Sequence, residues 1–154
     1  MRWASAFEQL ELGEEFETRG QRVTEADVCS FAALTGDMHP QHIDAEWAAD
    51  SLFGERIAHG MLILGYAVGL APLDPGRVMA LRGLRDVVFK RPVLLGDTIR
   101  VHGSIHRLLP VGDAAGLVTC RWSVLNQREE LCVRADVDIL WRRDRDGVGQ
   151  EAGT

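Results

Sequence analysis

Between His59 and Ala71 lies a helix-length segment with no polar face: Met61, Leu62, Ile63, Leu64, Tyr66, Ala67, Val68 and Leu70. A helix that is apolar all round is expected to be buried on all sides, so the rest of the chain must sheathe it. Gly65 and Gly69 lie four apart, which lets one side approach another backbone closely, and Pro72 and Pro75 end the segment. It is too short to cross a bilayer, which takes roughly 20 residues, and reads as a core helix rather than a membrane span.

The sheath is legible downstream. From Arg77 the hydrophobic period changes from that of a helix to two. Val78 to Arg82 and Val87 to Phe89 predict one long bent strand; Asp97 to Leu108, Ala115 to Leu125 and Leu131 to Trp141 predict three more. In the last, Cys132, Arg134, Asp136 and Asp138 alternate with Val133, Ala135, Val137 and Ile139, as in a half-buried strand. Leu95-Gly96-Asp97, Val111-Gly112-Asp113 and Asn126 to Glu129 fit antiparallel hairpin turns. An antiparallel sheet with one apolar face can curl around the helix and bury it, which predicts an α+β domain over residues 1–141. The tail, 142–154, is charged and then Gly-rich, and is expected to be flexible.

Upstream, Glu15 to Thr18 reads as a short strand. Thr24-Glu25-Ala26-Asp27 resembles a capping box with Asp in place of Glu, opening a helix whose apolar stripe is Val28, Phe31, Ala32 and Leu34 and whose stop is Gly36. Asp44 is placed to cap a second short helix through Asp50. Between them runs Thr35-Gly36-Asp37-Met38-His39-Pro40-Gln41-His42-Ile43. The residue before a proline is pushed toward extended backbone, so His39-Pro40 is expected in a loop. Flanked by apolar segments, this stretch is expected to keep its polar groups out of open solvent.

A carboxylate and an imidazole fixed by a rigid loop suit proton transfer, and Asp37 and His42 are the leading candidates. A loop cap at Asp37 and a backbone contact at His42 would account for the same residues. The second candidate is His59-Gly60-Met61. If the core helix starts here, its first N–H groups lack intrahelical partners and carry the positive end of the dipole, and Gly60 admits a close carbonyl oxygen. A glycine permitting a tight turn is the simpler alternative. Asp37, His39, His42, Asp44 and His59 could ligate a metal, but His-x-x-His alone is weak and the strong spacings are missing, so no metal site is expected. His102 and His106 read as solvated strand residues. Arg82, Arg85, Lys90 and Arg91 would suit phosphates or a solvated sheet edge equally. Neither a G-x-G-x-x-G nor a P-loop motif occurs, and no cofactor is expected.

The formal net charge of -6 argues against nucleic acid and against a polybasic membrane anchor. Met1 to Ser5 leads into Glu8-Gln9-Leu10-Glu11 rather than an apolar signal region, and a cytoplasmic location is expected. Cys29, Cys120 and Cys132 sit among apolar or β-type residues and are expected as buried free thiols.

Phe31 to Asp44, followed by Ile57-Ala58-His59-Gly60-Met61-Leu62, resembles the MaoC-like dehydratases, which include the R-specific enoyl-CoA hydratases. Phe89-Lys90-Arg91-Pro92-Val93 and Leu95 to Ile99 extend the resemblance, which covers about Val23 to Thr98. It implies a hot-dog fold, an antiparallel sheet around a long central helix, and a homodimer or higher oligomer with sites near the subunit interface. It implies a lyase of fatty acid metabolism that reversibly hydrates a trans-2-enoyl thioester of CoA or acyl carrier protein. Asp37 and His42 fall on the family's catalytic pair and Gly60 on its oxyanion donor, with His59 and Met61 beside it on the substrate. Two departures stand out: His39 replaces the usual Asn before the proline, and Ala67-Val68-Gly69 lacks the serine of several R-hydratases. A hot-dog acyl-CoA thioesterase is the nearest alternative, although Met61 to Leu70 holds no carboxylate. A non-catalytic thioester-binding or partner subunit is the other.

Overall fold

The computed structural model describes residues 2–144. The described residues form six antiparallel strands and, between the second and third of them, four α-helices: β1 (Glu15–Glu17), β2 (Gln21–Arg22), α1 (Glu25–Thr35), α2 (Pro40–Ile43), α3 (Ala45–Ala49), α4 (Gly60–Leu70), β3 (Val78–Phe89), β4 (Thr98–Val111), β5 (Ala115–Leu125) and β6 (Leu131–Arg142). The sheet runs β1-β4-β5-β6-β3, with β2 also on β4, and α4 packs on β4 and β6. This is the hot-dog arrangement of a sheet around a central helix.

Local chemistry sets the helix ends. The Thr24 hydroxyl accepts from the Asp27 N–H at 3.2 Å while the Asp27 carboxylate accepts from the Thr24 N–H at 2.8 Å, a reciprocal capping box. Gly36 closes α1 in the left-handed conformation at φ 80°, where a β-carbon would be strained. Asp44 caps α3 by accepting from the Trp47 N–H at 3.0 Å. The Tyr66 hydroxyl of α4 donates to the same Asp27 carboxylate, tying α4 to the start of α1; burial and that neighbour push the phenol up to about 12.

Alternation produces the sheet's inner face. Ile99, Val101 and Ile105 of β4, Cys120, Trp122 and Val124 of β5, and Val133, Val137, Ile139 and Trp141 of β6 are all buried. α4 contributes Ile63, Leu64 and Ala67 to this core. Burial of a side chain such as Ile63 or Leu64 is worth roughly 1.5–3 kcal/mol each. The N-terminal segment closes one end: Trp3 meets Phe16 edge-on at 4.9 Å and Trp141 at 6.2 Å, and the Trp141 indole N–H donates to the Ser5 carbonyl at 2.9 Å.

Several expectations are corrected. α4 is not buried all round: Met61 is 60 % exposed, and Gly65 and Gly69 share its open side. The sheet of one chain is wide enough to cover one face of the helix only. Leu34, expected on the buried stripe of α1, is 83 % exposed, whereas Val28 and Ala32 of that helix are fully buried. Cys29 is exposed on the same helix. Leu95 to Asp97 joins no hairpin: β3 and β4 are separated in the sheet by β6 and β5, so residues 90–97 form a crossover. There the buried Asp97 carboxylate accepts from the Leu94 N–H at 2.9 Å and the Gln127 amide at 2.7 Å. β6 runs on to Arg142, and Arg143 pairs with Glu8 at 2.6 Å; the rest of the expected flexible tail, 145–154, lies outside the described residues. Among the described residues, no helix is long and apolar enough to cross a membrane.

Candidate active site

Pro40 opens the four-residue helix α2 instead of extending a loop. Its missing N–H costs nothing at a helix start. His39 keeps the extended backbone that a following proline imposes, with ψ 132°, and its Nδ1 accepts from the Gln41 N–H at 3.1 Å. The result carries His42 on a helical turn and points its ring inward, where it is 7 % exposed.

One extended strip fixes that ring. The Ile57 N–H donates to the Gln41 carbonyl at 3.2 Å, Ala58 donates to Val93 of the crossover at 2.8 Å, and Ile57 bridges to Leu94. His42 Nδ1 lies 2.7 Å from the Ile57 carbonyl. A carbonyl only accepts, so Nδ1 carries the hydrogen and Nε2 keeps its lone pair. Burial pushes the His42 imidazole below its ordinary value, against the opposing effect of the Ile57 contact. The ring is therefore poised as a neutral base.

His59 is the N-cap residue of α4 and is 2 % exposed. Its ring stacks on that of His42 at a centroid distance of 3.8 Å, and its Nε2 lies 3.0 Å from the Asp37 carbonyl. Asp37 follows the α1 stop. Its side chain is 52 % exposed, contrary to the expected shelter, and Oδ2 lies 4.0 Å from His59 Nε2. Asp37, His42 and His59 can each present one ligand atom such that all three lie within 4.8 Å of one another. A cation taken up through His59 Nε2 would displace the hydrogen that this nitrogen donates to the Asp37 carbonyl, whereas His42 Nε2 has a lone pair to offer without loss of the Ile57 contact.

No side chain caps α4, and its first backbone bond runs from Ile63 to His59 at 3.2 Å. The N–H groups of Gly60, Met61 and Leu62 therefore point out of the helix start unclaimed by its own turns. A cleft of about 350 Å³ opens here, lined by His42, Gly60, Met61, Phe89, Lys90 and Arg91 among others. His42, Gly60 and Met61 line this cleft, and Asp37 and His59 each bring a polar atom within 4.8 Å of the His42 ring. Of the basic residues singled out in the sequence, Lys90 and Arg91 reach the cleft, whereas Arg85 is occupied by a two-pronged pair with Asp138, both contacts at 2.9 Å. The His42–His59 stack was not legible in the sequence. Phe89, which ends β3 against Gly60, entered it only as strand and motif.

Residues 7–113 match the family described as MaoC like domain. The 3-hydroxybutyryl-CoA dehydratase of Methylorubrum extorquens is 36% identical over 118 residues, covering 74% of this chain and 73% of that protein. The Protein MaoC of Klebsiella aerogenes is 41% identical over 97 residues, a match that spans 29% of its length. Among solved structures, a monoamine oxidase regulatory protein from Archaeoglobus superposes with TM-score 0.86 at 38% identity, covering 91% of this chain and 95% of the other. The R-hydratase of Pseudomonas aeruginosa superposes with TM-score 0.73 at 30% identity, over 97% and 93%. The described site thus sits where the match is, and the chain belongs to the MaoC-like domain family.

Proposed function

We propose that this protein is a hydro-lyase that reversibly adds water to a trans-2-enoyl thioester, giving the 3-hydroxyacyl thioester. The observation that carries this reading is the shared cleft. His42, with Nδ1 committed to Ile57 and Nε2 free, faces the same space as the uncapped start of α4 at Gly60. Similarity to the dehydratase and the hydratase supports it.

In this mechanism Asp37 and His42 hold one water. His42 Nε2 or the Asp37 carboxylate takes a proton as the water oxygen bonds to C3. Electron density moves onto the thioester oxygen, which the Gly60 N–H stabilises with the helix dipole behind it. The proton then passes to C2. Dehydration runs the same steps backward. A thioesterase reading is disfavoured because α4 carries no carboxylate. Lys90 and Arg91 on the cleft wall suit the phosphates of a CoA or phosphopantetheine carrier.

A homodimer accompanies this reading. β3 is the free edge of the sheet over twelve residues and exposes Met79, Leu81, Leu84 and Phe89. Such an edge is a template for pairing with another strand, and a second copy would also cover the open side of α4.

The test is to mix purified protein with short-chain enoyl-CoA thioesters and follow the loss of conjugated absorbance. Turnover that Asp37→Asn abolishes is the expected result. Full activity in Asp37→Asn would reject the assignment, and release of free thiol without hydration would favour the thioesterase.

A further inference from the structure

We propose that His59 is a positioning residue that holds both members of the Asp37–His42 pair, Asp37 by its backbone and His42 by the face of its ring. The proposal rests on reading those two as the proton-transfer pair. His59 itself is not among the residues that line the cleft.

Three contacts carry it. His59 Nε2 lies 3.0 Å from the Asp37 carbonyl. That acceptor requires a donor, so the hydrogen is on Nε2 and the backbone carrying the Asp37 carboxylate is anchored to the start of α4. The ring lies 3.8 Å from that of His42 with a 26° tilt, which blocks rotation of the imidazole about its own axis. Phe31 packs on His59 at 4.9 Å, so the ring has little room to turn. Two backbone carbonyls thus dictate two opposite tautomers: Nδ1–H on His42 from Ile57, and Nε2–H on His59 from Asp37.

The remaining nitrogen argues for a role beyond filling space. His59 Nδ1 is buried and has no hydrogen-bond partner. Burying an unpaired polar atom is destabilising, and a phenyl ring would fill the same volume without it. A core-packing role therefore makes His59→Phe neutral or stabilising. A positioning role makes the imidazole necessary for its donor.

The stack also bears on charge. The titratable neighbours of His42 are Asp37 before α2, His39 at its N-cap and His59 at the start of α4. Lys90 and Arg91 share the cleft. Two imidazoles in face contact cannot both ionise without repulsion, so His59 favours the neutral, basic form of His42.

Two substitutions separate the contacts. His59→Phe keeps the stacked ring and loses the donor; His59→Gln keeps an N–H donor and loses the ring. We expect His59→Phe to fold with unchanged or higher Tm, to lose at least tenfold in kcat, and to hold KM within about twofold. His59→Gln should recover part of kcat, with the acid limb of its kcat/KM profile moved to higher pH. Wild-type kcat in a folded His59→Phe would overturn the proposal. Nitrogen-15 spectra of the imidazoles give a readout that needs no turnover. Wild type should show the Nε2–H tautomer at His59 and Nδ1–H at His42, and His59→Gln should raise the His42 titration midpoint. The opposite tautomer at His59, or an unmoved midpoint, would overturn it even if no enoyl thioester is hydrated. Failure of the hydratase reading itself would instead appear as an inactive wild type with these tautomers intact.

Discussion

The ring of Phe89 occupies the space where a β-carbon on Gly60 would stand: such an atom would lie 2.5 Å from Phe89 Cε1. The last residue of β3 and the first of α4 are thereby pressed together at the mouth of the cleft. Gly60→Ala forces the half-exposed ring outward and places a methyl group beside the N–H groups of the helix start. The expected cost is about 1–3 kcal/mol of stability from overpacking. A loss of about tenfold or more in kcat/KM is expected from the displaced thioester oxygen. Adding Phe89→Ala should recover stability, so that the double mutant is more stable than the sum of the singles predicts. Thermal melts of the four proteins decide this; strict additivity would mean that the contact carries no strain.

Removal of the proposed proton-transfer groups should separate activity from folding. Asp37 is half exposed, so Asp37→Asn is expected to leave Tm nearly unchanged while lowering kcat about 10²–10⁴-fold. His42→Gln should lower kcat similarly. Parallel melts and hydration assays on both variants test this, and a large fall in Tm for Asp37→Asn would point to a structural role instead.

The pH response follows from the burial of His42. Its folded pKa is lowered from 6.5, so between the two values the unfolded chain binds a proton that the folded chain does not. The contribution of this ring to stability is present in full above about 6.5 and is lost as the pH falls through the folded value. The acid limb of kcat/KM should likewise lie below 6.5, since the base must be neutral to act. Urea unfolding and rate profiles over this range are the measurements. An acid limb above 6.5 would exclude a neutral, buried His42 as the base.

The capping box at the start of α1 makes a prediction away from the chemistry. Thr24→Ala removes the acceptor for the Asp27 N–H. The expected loss is about 1 kcal/mol, which is roughly 2–4 °C in Tm for a chain of this size. Hydration rates at 25 °C should be unaffected, because Thr24 touches neither the cleft nor the pair.

The apolar edge of β3 predicts assembly. Sedimentation should give the mass of a dimer, and Leu81→Lys, which puts a charge on the exposed edge, should shift it toward monomer. A wild-type chain that sediments as a monomer at micromolar concentration would remove the dimer from the proposed function.

The features readable along the chain are those that short-range physics controls. Thr24 and Asp27 are three apart and satisfy each other within one turn; Gly36 supplies the left-handed stop; the alternation from Leu131 to Trp141 selects which side chains face the core. Asp37 and His42 stood out as candidates because they share one short polar segment, and Gly60 because it opens the apolar helix. The helical turn at Pro40 was missed because proline disfavours a helix before it but not one that begins with it.

The remainder depends on how distant segments pack. An all-apolar segment demands burial, but its pattern does not say how much of it one sheet can cover, and Met61, Gly65 and Gly69 remain on the open side. Nor does it say that His59 will stack on His42, that Ile57 and Asp37 will set opposite tautomers on the two rings, or that Phe89 will close on Gly60. Those contacts join segments far apart in the chain. Their distances depend on how the crossover at 90–97, the strip at 57–58 and the helix start are packed together, and no local propensity encodes that packing.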